Sequence, residues 1–228
     1  MSRSRIVPPR LPPVLASTAP VLADDASWTG EDVDGSFVGV QAAFLDITGC
    51  RLGSARFTGA QLRRLRIADS VVEDCELSGA VLADLAATRV EFRRCRMSGL
   101  IASGGQFQDV RLIDCRLDEA NLRMTVWKRA AFLDCALRGA DFYSAELTAA
   151  ELTGCDLTGV EFSKAQVAGA RLHGSLLEGL RGAAGLRGVV IGTDQALPLA
   201  LSIFAGLGIR VDDDAGVDAD QPAGARPP

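Results

Sequence analysis

Large apolar residues recur at every fifth position from Phe37 to Leu177, with no insertion or deletion. One column of the pattern reads Phe57, Leu77, Met97, Leu117, Leu137, Leu157, and the next reads Leu62, Leu82, Ala102, Leu122, Phe142, Phe162. Only Ala42, Ala87 and Ala102 lack bulk. Two places before each large residue stands a mostly small one, such as Ala55, Ala60, Ala80, Ala120, Ala140, Ala145 or Ala170, and all six cysteines (Cys50, Cys75, Cys95, Cys115, Cys135, Cys155) occupy this slot. A period of five fits neither the helical 3.6 nor the strand period of two, so it is an internal repeat. Within a unit the small and large residues are two apart and share one side of an extended segment. Their neighbours, such as Glu76 and Ser78 or Asp156 and Thr158, point the other way and are mostly polar. The fifth residue is often Gly or Asp, as at Gly59, Gly79, Gly99, Asp114 and Asp134, types that suit a bend. Each unit is therefore predicted as a short strand ended by a corner. Four corners close a square coil of twenty residues, and coils stack at about 4.8 Å, giving about seven coils and a rod roughly 34 Å long.

The units Cys75-Glu76-Leu77-Ser78-Gly79, Cys155-Asp156-Leu157-Thr158-Gly159 and Ala140-Asp141-Phe142-Tyr143-Ser144 resemble the pentapeptide-repeat family, whose repeats run small, Asp or Asn, Leu or Phe, polar, and often Gly. The resemblance covers residues 35–179 and implies an all-β fold, the family's right-handed quadrilateral β-helix. Handedness comes from the resemblance, since the spacing alone describes only a four-sided coil.

Local departures refine this picture. Each alanine exception has a bulky residue two places earlier (Val40, Leu85, Leu100), so volume has moved between the two inward slots, an exchange that cores tolerate. Gly104 and Gly105 predict a kink, and Trp127 over Phe107 predicts a bulge. Residues 1–34 hold Pro8, Pro9, Pro12, Pro13 and Pro20 and then Asp24, Asp25, Glu31, Asp32 and Asp34, which predicts an extended, partly disordered lead-in, with Trp28 folded over the first coil as a cap. The prolines also interrupt any apolar core behind Arg3 and Arg5, so no export leader is expected. Residues 180–211 predict a closing strand at Val189-Val190-Ile191, then a helix capped at Thr193 or Asp194, tolerant of Pro198 in its first turn and ending near Leu207. Its apolar stripe is too wide for one face: one side is expected to cap the last coil, and Leu197, Leu201, Ile203, Phe204 and Leu207 make it a candidate homodimer helix. Residues 212–228 are expected to be a disordered acidic and Pro-Ala-Gly tail.

Composition narrows the chemistry. With 228 residues, 48% of them hydrophobic, the chain can bury a sizeable core. A net charge of −5 argues against coating nucleic acid, and no apolar run reaches bilayer length, so a soluble, cytoplasmic protein is expected. The cysteines are expected to be buried structural thiols in a reducing compartment. Stacked Cα atoms lie within disulfide range, but parallel Cβ vectors disfavour the bond. The only histidine, His173, falls at an outward slot, and no nucleophile elbow, phosphate loop or metal motif is present. Neither catalysis, nor a metal, nor a cofactor is expected.

Charge is uneven along the rod. Asp141, Glu146, Glu151, Asp156 and Glu161 precede five successive large residues and form a candidate acidic interaction belt, whereas Arg51, Arg56, Arg63, Arg64, Arg66, Arg89, Arg93, Arg94 and Arg96 make the early coils basic. Some members of the family resemble B-form DNA in shape and charge and protect DNA gyrase from fluoroquinolones, so the resemblance allows a gyrase-binding DNA mimic as the alternative role. Columns here mix signs, however, as in Arg56, Glu76, Arg96, Arg116 and later Asp156, which is ordinary ladder stabilisation. The early arginines are read as lacking interleaved exposed aromatics, so direct nucleic-acid binding is not expected. The leading expectation is a non-enzymatic scaffold acting through protein–protein interaction, since fold analogy alone does not assign a partner.

Overall fold

The computed structural model of the chain describes residues 5–18 and 20–211. From Gly39 to Gly179 every fifth residue has a positive φ, between 48° and 74°. Each such residue turns the chain through a corner, and the four-residue runs between corners are extended. Four corners return the chain above itself, so residue i pairs with residue i+20 in parallel register. The longer strands β4 (Gln41–Thr48), β6 (Gln61–Glu73), β8 (Ala86–Arg93), β9 (Gln106–Ile113) and β10 (Val126–Leu133) stack in that order, with the short β5 (Arg51–Gly53), β7 (Val81–Ala83) and β11 (Glu151–Thr153) on the same ladder. Elsewhere single bridges suffice: Ser36, Arg56, Glu76, Arg96, Arg116, Ala136, Asp156 and Leu176 form one continuous column. The result is a right-handed quadrilateral β-helix with one C-terminal helix.

The large residues fill the axis. Phe132, Phe142, Leu117, Leu137 and Leu157 are fully buried, and Phe142 stacks on Phe162 with ring centroids 5.6 Å apart. The small slot fits beneath, and its hydroxyls and thiols bond to backbone carbonyls. Ser70 Oγ donates to Ala68 O at 2.7 Å, and Ser175 Oγ to Leu152 O at 2.8 Å, while Cys75, Cys95, Cys135 and Cys155 each place Sγ within 3.3–3.5 Å of a carbonyl in the coil beneath. Cys, Ser and Ala are interchangeable here because the slot asks for small volume and tolerates only a donor that faces a carbonyl.

Two expected distortions do not occur. The ladder runs through Gly104 and Gly105 and through Trp127 in unbroken twenty-residue register. Gly105 has a packing reason, because an added Cβ would stand 2.9 Å from both Ala102 O and the Phe107 ring. Trp127 avoids a bulge by lying flat on Phe107, centroids 3.7 Å apart at 5°, while its Nε1–H donates to Thr125 Oγ1 at 2.8 Å. An apolar void of about 20 Å³ lies between Leu82, Leu85, Leu100, Phe107 and Trp127.

The ends correct the sequence-based boundaries. β1 (Ala16–Thr18), β2 (Ser27–Thr29) and β3 (Glu31–Val33) already belong to the ladder, so the segment expected as an extended lead-in over 1–34 contributes coil structure. Its register is shifted by one: Trp28 lies under Ile47 and Val33 under Leu52, nineteen residues apart. Trp28 is buried against Phe37 and closes the start of the axis. At the other end the closing strand is a single bridge, Val190 to Arg171. Thr193–Gln195 form a 3₁₀ turn and α1 spans Ala196–Gly206, with no side-chain cap from Thr193 or Asp194. Gln195 instead turns inward, its Nε2 donating to Leu172 O at 2.6 Å and its Oε1 accepting from Gly192 N at 2.8 Å. Together with Ser202 Oγ on Leu177 O, it satisfies carbonyls that the last coil leaves without an upper neighbour. The expected tail, 212–228, lies outside the described residues.

A side chain at a left-handed corner costs about 1–2 kcal/mol, which a glycine escapes at the price of about 0.5–1 kcal/mol of unfolded-chain freedom. Met124 sits at such a corner (φ 56°) and is 56% exposed, so Met124→Gly is expected to raise the midpoint of thermal unfolding by a degree or two, equivalent to about 0.5–1 kcal/mol. Arg129→Gly, at an equivalent corner, is expected to lower it, because that arginine neutralises a buried carboxylate. Differential scanning calorimetry of the two variants checks the opposite signs.

Candidate interaction surfaces

The acidic belt is brought into one band around the late coils, but most of its charge is engaged. Asp141 Oδ1 accepts from Tyr143 N at 2.8 Å, Asp156 Oδ1 from Thr158 N at 3.1 Å, and Glu161 Oε1 from Ser163 N at 2.6 Å. The other oxygens face arginines: Arg123 at 3.0 Å from Asp141, Arg138 against Asp156, and Arg181 at 3.7 Å from Glu161. These three acids tie down the turn that follows them, a local role that explains why an acid recurs in this slot. Glu146 and Glu151, on the ladder between Val126 and Gln166 and between Ala131 and Arg171, make no ion pair within 4.0 Å among the described residues.

The basic early coils divide: Arg89, Arg93, Arg94 and Arg96 pair with Asp69, Glu91, Glu73 and Asp74, and Glu76, whereas the five arginines before them do not. Arg51, Arg56, Arg63, Arg64 and Arg66 are all exposed and make no ion pair among the described residues. They circle the rod, one or more to a face, so they do not converge on one ligand. Contrary to expectation, an exposed aromatic accompanies them: Phe44 is 50% exposed and carries the Arg64 guanidinium 4.9 Å above its ring. Tyr143, further up the same corner, is flanked by Arg123 at 4.4 Å and Lys164 at 5.1 Å. Sequence reading missed both because it weighed residues in chain order, whereas these partners stand about one coil apart.

Of the candidate dimer residues, Leu197, Leu201 and Phe204 on α1 and Leu207 just past its end are exposed, whereas Ile203 is half-buried against the core beside the buried Leu199. The outward face therefore follows the spacing 197, 201, 204, which is one helical stripe. All six cysteines are free and buried. Five of them stack in one column, where neighbouring sulfurs together with burial push the Cys95 and Cys135 thiols up. Among the described residues no cluster of His, Cys, Asp or Glu is placed to hold a metal ion, and no helix is long and apolar enough to cross a membrane.

Ion pairs at the corners carry the clearest electrostatic signature. Arg89 holds the Asp69 carboxyl below its ordinary value and Arg129 does the same for Asp109. Burial opposes ionisation of Asp156, yet hydrogen bonds from Thr158 and Arg138 leave its carboxyl low as well. A depressed folded pKa contributes stability that is present above the unfolded value and is lost as pH falls through the folded one. Thermal unfolding followed by circular dichroism is therefore expected to show a flat midpoint from about pH 7 to 5 and a fall below about pH 4. Asp109→Asn is expected to flatten that acid limb.

A profile described as "Pentapeptide repeat region" matches residues 85–162 and 106–181. Among curated proteins none matches the sequence. Among solved structures the chain is similar to a trypsin-treated variant of QnrB1, a plasmid-mediated fluoroquinolone resistance protein, at 20% identity over 84% of this chain and 92% of that one, with a TM-score of 0.49. It is also similar to HetL, involved in heterocyst differentiation regulation in the cyanobacterium Nostoc sp. strain PCC 7120 (19% identity, 73% and 85% covered, TM-score 0.36). A third is Rfr23 from the cyanobacterium Cyanothece 51142 (20% identity, 47% and 64% covered, TM-score 0.37). Likeness at this level says nothing about what this chain binds. The profile match makes residues 85–181 a pentapeptide-repeat region, and the same five-residue corner register runs through them and back to Gly39.

Proposed function

We propose that the chain is a non-enzymatic scaffold that works by protein–protein contact and that it pairs with a second copy through α1. The observation that carries this reading is the outward stripe of the helix: Leu197 is 68% exposed, Leu201 44% and Phe204 37%, and Leu207, Ile209 and Val211 beyond its end are exposed as well. Scattered apolar residues on a surface are normal, but a contiguous stripe beyond a satisfied cap is what a helix-mediated dimer leaves on each protomer. The axis of the rod is filled by its own side chains, so what it offers a partner is its surface, including a hollow of about 280 Å³ lined by Phe44, Arg63, Arg64 and Asp84. Six free thiols fit a reducing compartment such as the cytoplasm.

The alternative, a gyrase-binding DNA mimic, would use the acidic belt. Against it stand the ion pairs of Asp141, Asp156 and Glu161, which leave Glu146 and Glu151 as the free acids of the five. A row of uncompensated charge is what a DNA-binding surface would recognise, and here most of that charge is answered.

Light scattering is expected to give a dimer at micromolar concentration and a monomer for Leu201→Asp combined with Phe204→Asp, with the unfolding midpoint changed by no more than a few degrees. A variant that stays dimeric would remove α1 from the interface. Supercoiling by a gyrase of the same source is expected to be unchanged by low-micromolar protein. Inhibition, or protection from a fluoroquinolone, that is lost in Asp141→Asn/Glu151→Gln/Glu161→Gln would move the assignment to the DNA mimic.

A further inference from the structure

The proline-rich N-terminal segment does not pair in the ladder; it runs along the outside of the rod. Pro12 sits over one corner, where a Cβ added to Gly49 would stand 3.3 Å from its Cδ and one added to Gly30 would stand 3.5 Å from its Cγ. One coil higher on the same corner, Arg10 N donates to Asp69 Oδ1 at 3.2 Å. Two coils above that, Val7 N donates to Asp109 Oδ1 at 3.0 Å. The segment therefore climbs the rod in the opposite chain sense to the coils.

The two docking points are built alike. At each, an arginine one coil above closes a two-pronged pair on the aspartate: Arg89 Nε on Asp69 Oδ1 at 2.6 Å, and Arg129 Nε on Asp109 Oδ1 at 2.6 Å. Both aspartates thus present the same oxygen to an arginine and to a main-chain N–H. Both are shielded, with side chains 15% and 2% exposed.

The spacing has a physical reason. Prolines fix φ near −65° and push the residue before them to extended values, which favours polyproline II from Val7 to Pro12, a helix with three residues per turn and about 3.1 Å per residue. Three residues then advance about 9.3 Å. Two coils advance about 9.6 Å. Every third N–H of such a segment therefore meets every second coil, the interval between Asp69 and Asp109. The two positions between the donors need no N–H, and they are Pro8, which is exposed, and Pro9, which is half-buried. The cis segment is lightly held: two main-chain hydrogen bonds fix it, Ile6, Val7 and Leu11 are half-buried, and Pro8, Arg10 and Pro12 are exposed.

We propose that this corner of the rod is a recognition track for polyproline-II segments of the pattern apolar-Pro-Pro-basic on a partner protein, and that residues 7–12 occupy it as a built-in competitor. Asp69 and Asp109 read the two N–H groups, Arg89 and Arg129 orient the carboxylates, and Gly30 and Gly49 leave room for a proline ring. The cis segment lowers the apparent affinity of the track by the fraction of time it is docked. A partner whose segment is longer or present in several copies displaces it.

The test uses the full chain and a fluorescent peptide of the sequence Arg-Ile-Val-Pro-Pro-Arg-Leu-Pro-Pro, followed by anisotropy. Val7→Pro combined with Arg10→Pro removes both donors of the cis segment while keeping its backbone geometry. This chain is expected to bind the peptide about tenfold more tightly than the wild type, the effect of removing an intramolecular competitor. Adding Asp69→Asn and Asp109→Asn is expected to weaken that binding at least about tenfold, back to or below the wild-type level. A peptide with proline at both donor positions is expected not to bind, a control that leaves the protein untouched. Equal binding by wild type and the double-proline chain, or by parent and proline-substituted peptides, would overturn the proposal. Growth of the wild-type mass with concentration, abolished by Asp69→Asn and Asp109→Asn while the peptide stays unbound, would assign the track to a second copy and overturn the partner reading.

Discussion

The left-handed residue at every fifth position is the constraint from which the rest of the structure follows. It turns the chain by one side of a square, so that twenty residues close a coil and each peptide group meets its partner directly above and below. Since the corner repeats from Gly39 to Gly179 without a miss, side chains align in columns that run the length of the rod. Two columns per side point inward and fill the axis, and the others face solvent. The corners themselves are the strained positions, and their residue choice is informative. Glycine takes many of them at no steric cost, while Asp69, Arg89, Asp109 and Arg129 are retained as side-chain-bearing corners that hold one another in pairs.

A core of this kind leaves little inside to act on anything. The axial residues interdigitate from Trp28 to Leu177, and a void between Leu82, Leu85 and Trp127 is closer in size to a water than to a substrate. Function therefore belongs to the outer columns and to the ends. The two ends are closed differently: Trp28 covers the first coil with a flat apolar ring, while Gln195 and Ser202 cap the last coil through its carbonyls. The second solution leaves the other face of α1 exposed at Leu197, Leu201 and Phe204.

The sequence made the middle of the rod fully legible, since the five-residue period states both inward slots and the corner in one line of text. It was silent at two kinds of place. Register shifts of a single residue hid the coil that contains Trp28 and Val33, because four residues separate Val33 from Phe37 where the pattern demands five. Pairings between columns also escaped it. The acidic belt looked uncompensated in chain order, yet Asp141 and Asp156 are answered by Arg123 and Arg138 from the coil beneath, eighteen residues away. Trp127 was expected to cause a bulge because its volume was counted without its orientation, and a ring lying flat on Phe107 needs little height. The docking of residues 7–12 had a signal in the text after all: donors three residues apart at Val7 and Arg10, prolines between them, and aspartates forty residues apart at matching corners.

The account treats the outer corners of a solid rod as its working surface, and the N-terminal segment is the first ligand seen there. Amide hydrogen exchange of the intact chain tests this most directly, because Pro8, Pro9, Pro12 and Pro13 leave few exchangeable groups in the segment to confuse the reading. The account predicts slow exchange at Val7 and Arg10, lost when Asp109 and Asp69 are replaced by Asn, on top of strong protection throughout the ladder. Exchange at the unstructured rate at both amides in the wild-type chain would contradict it.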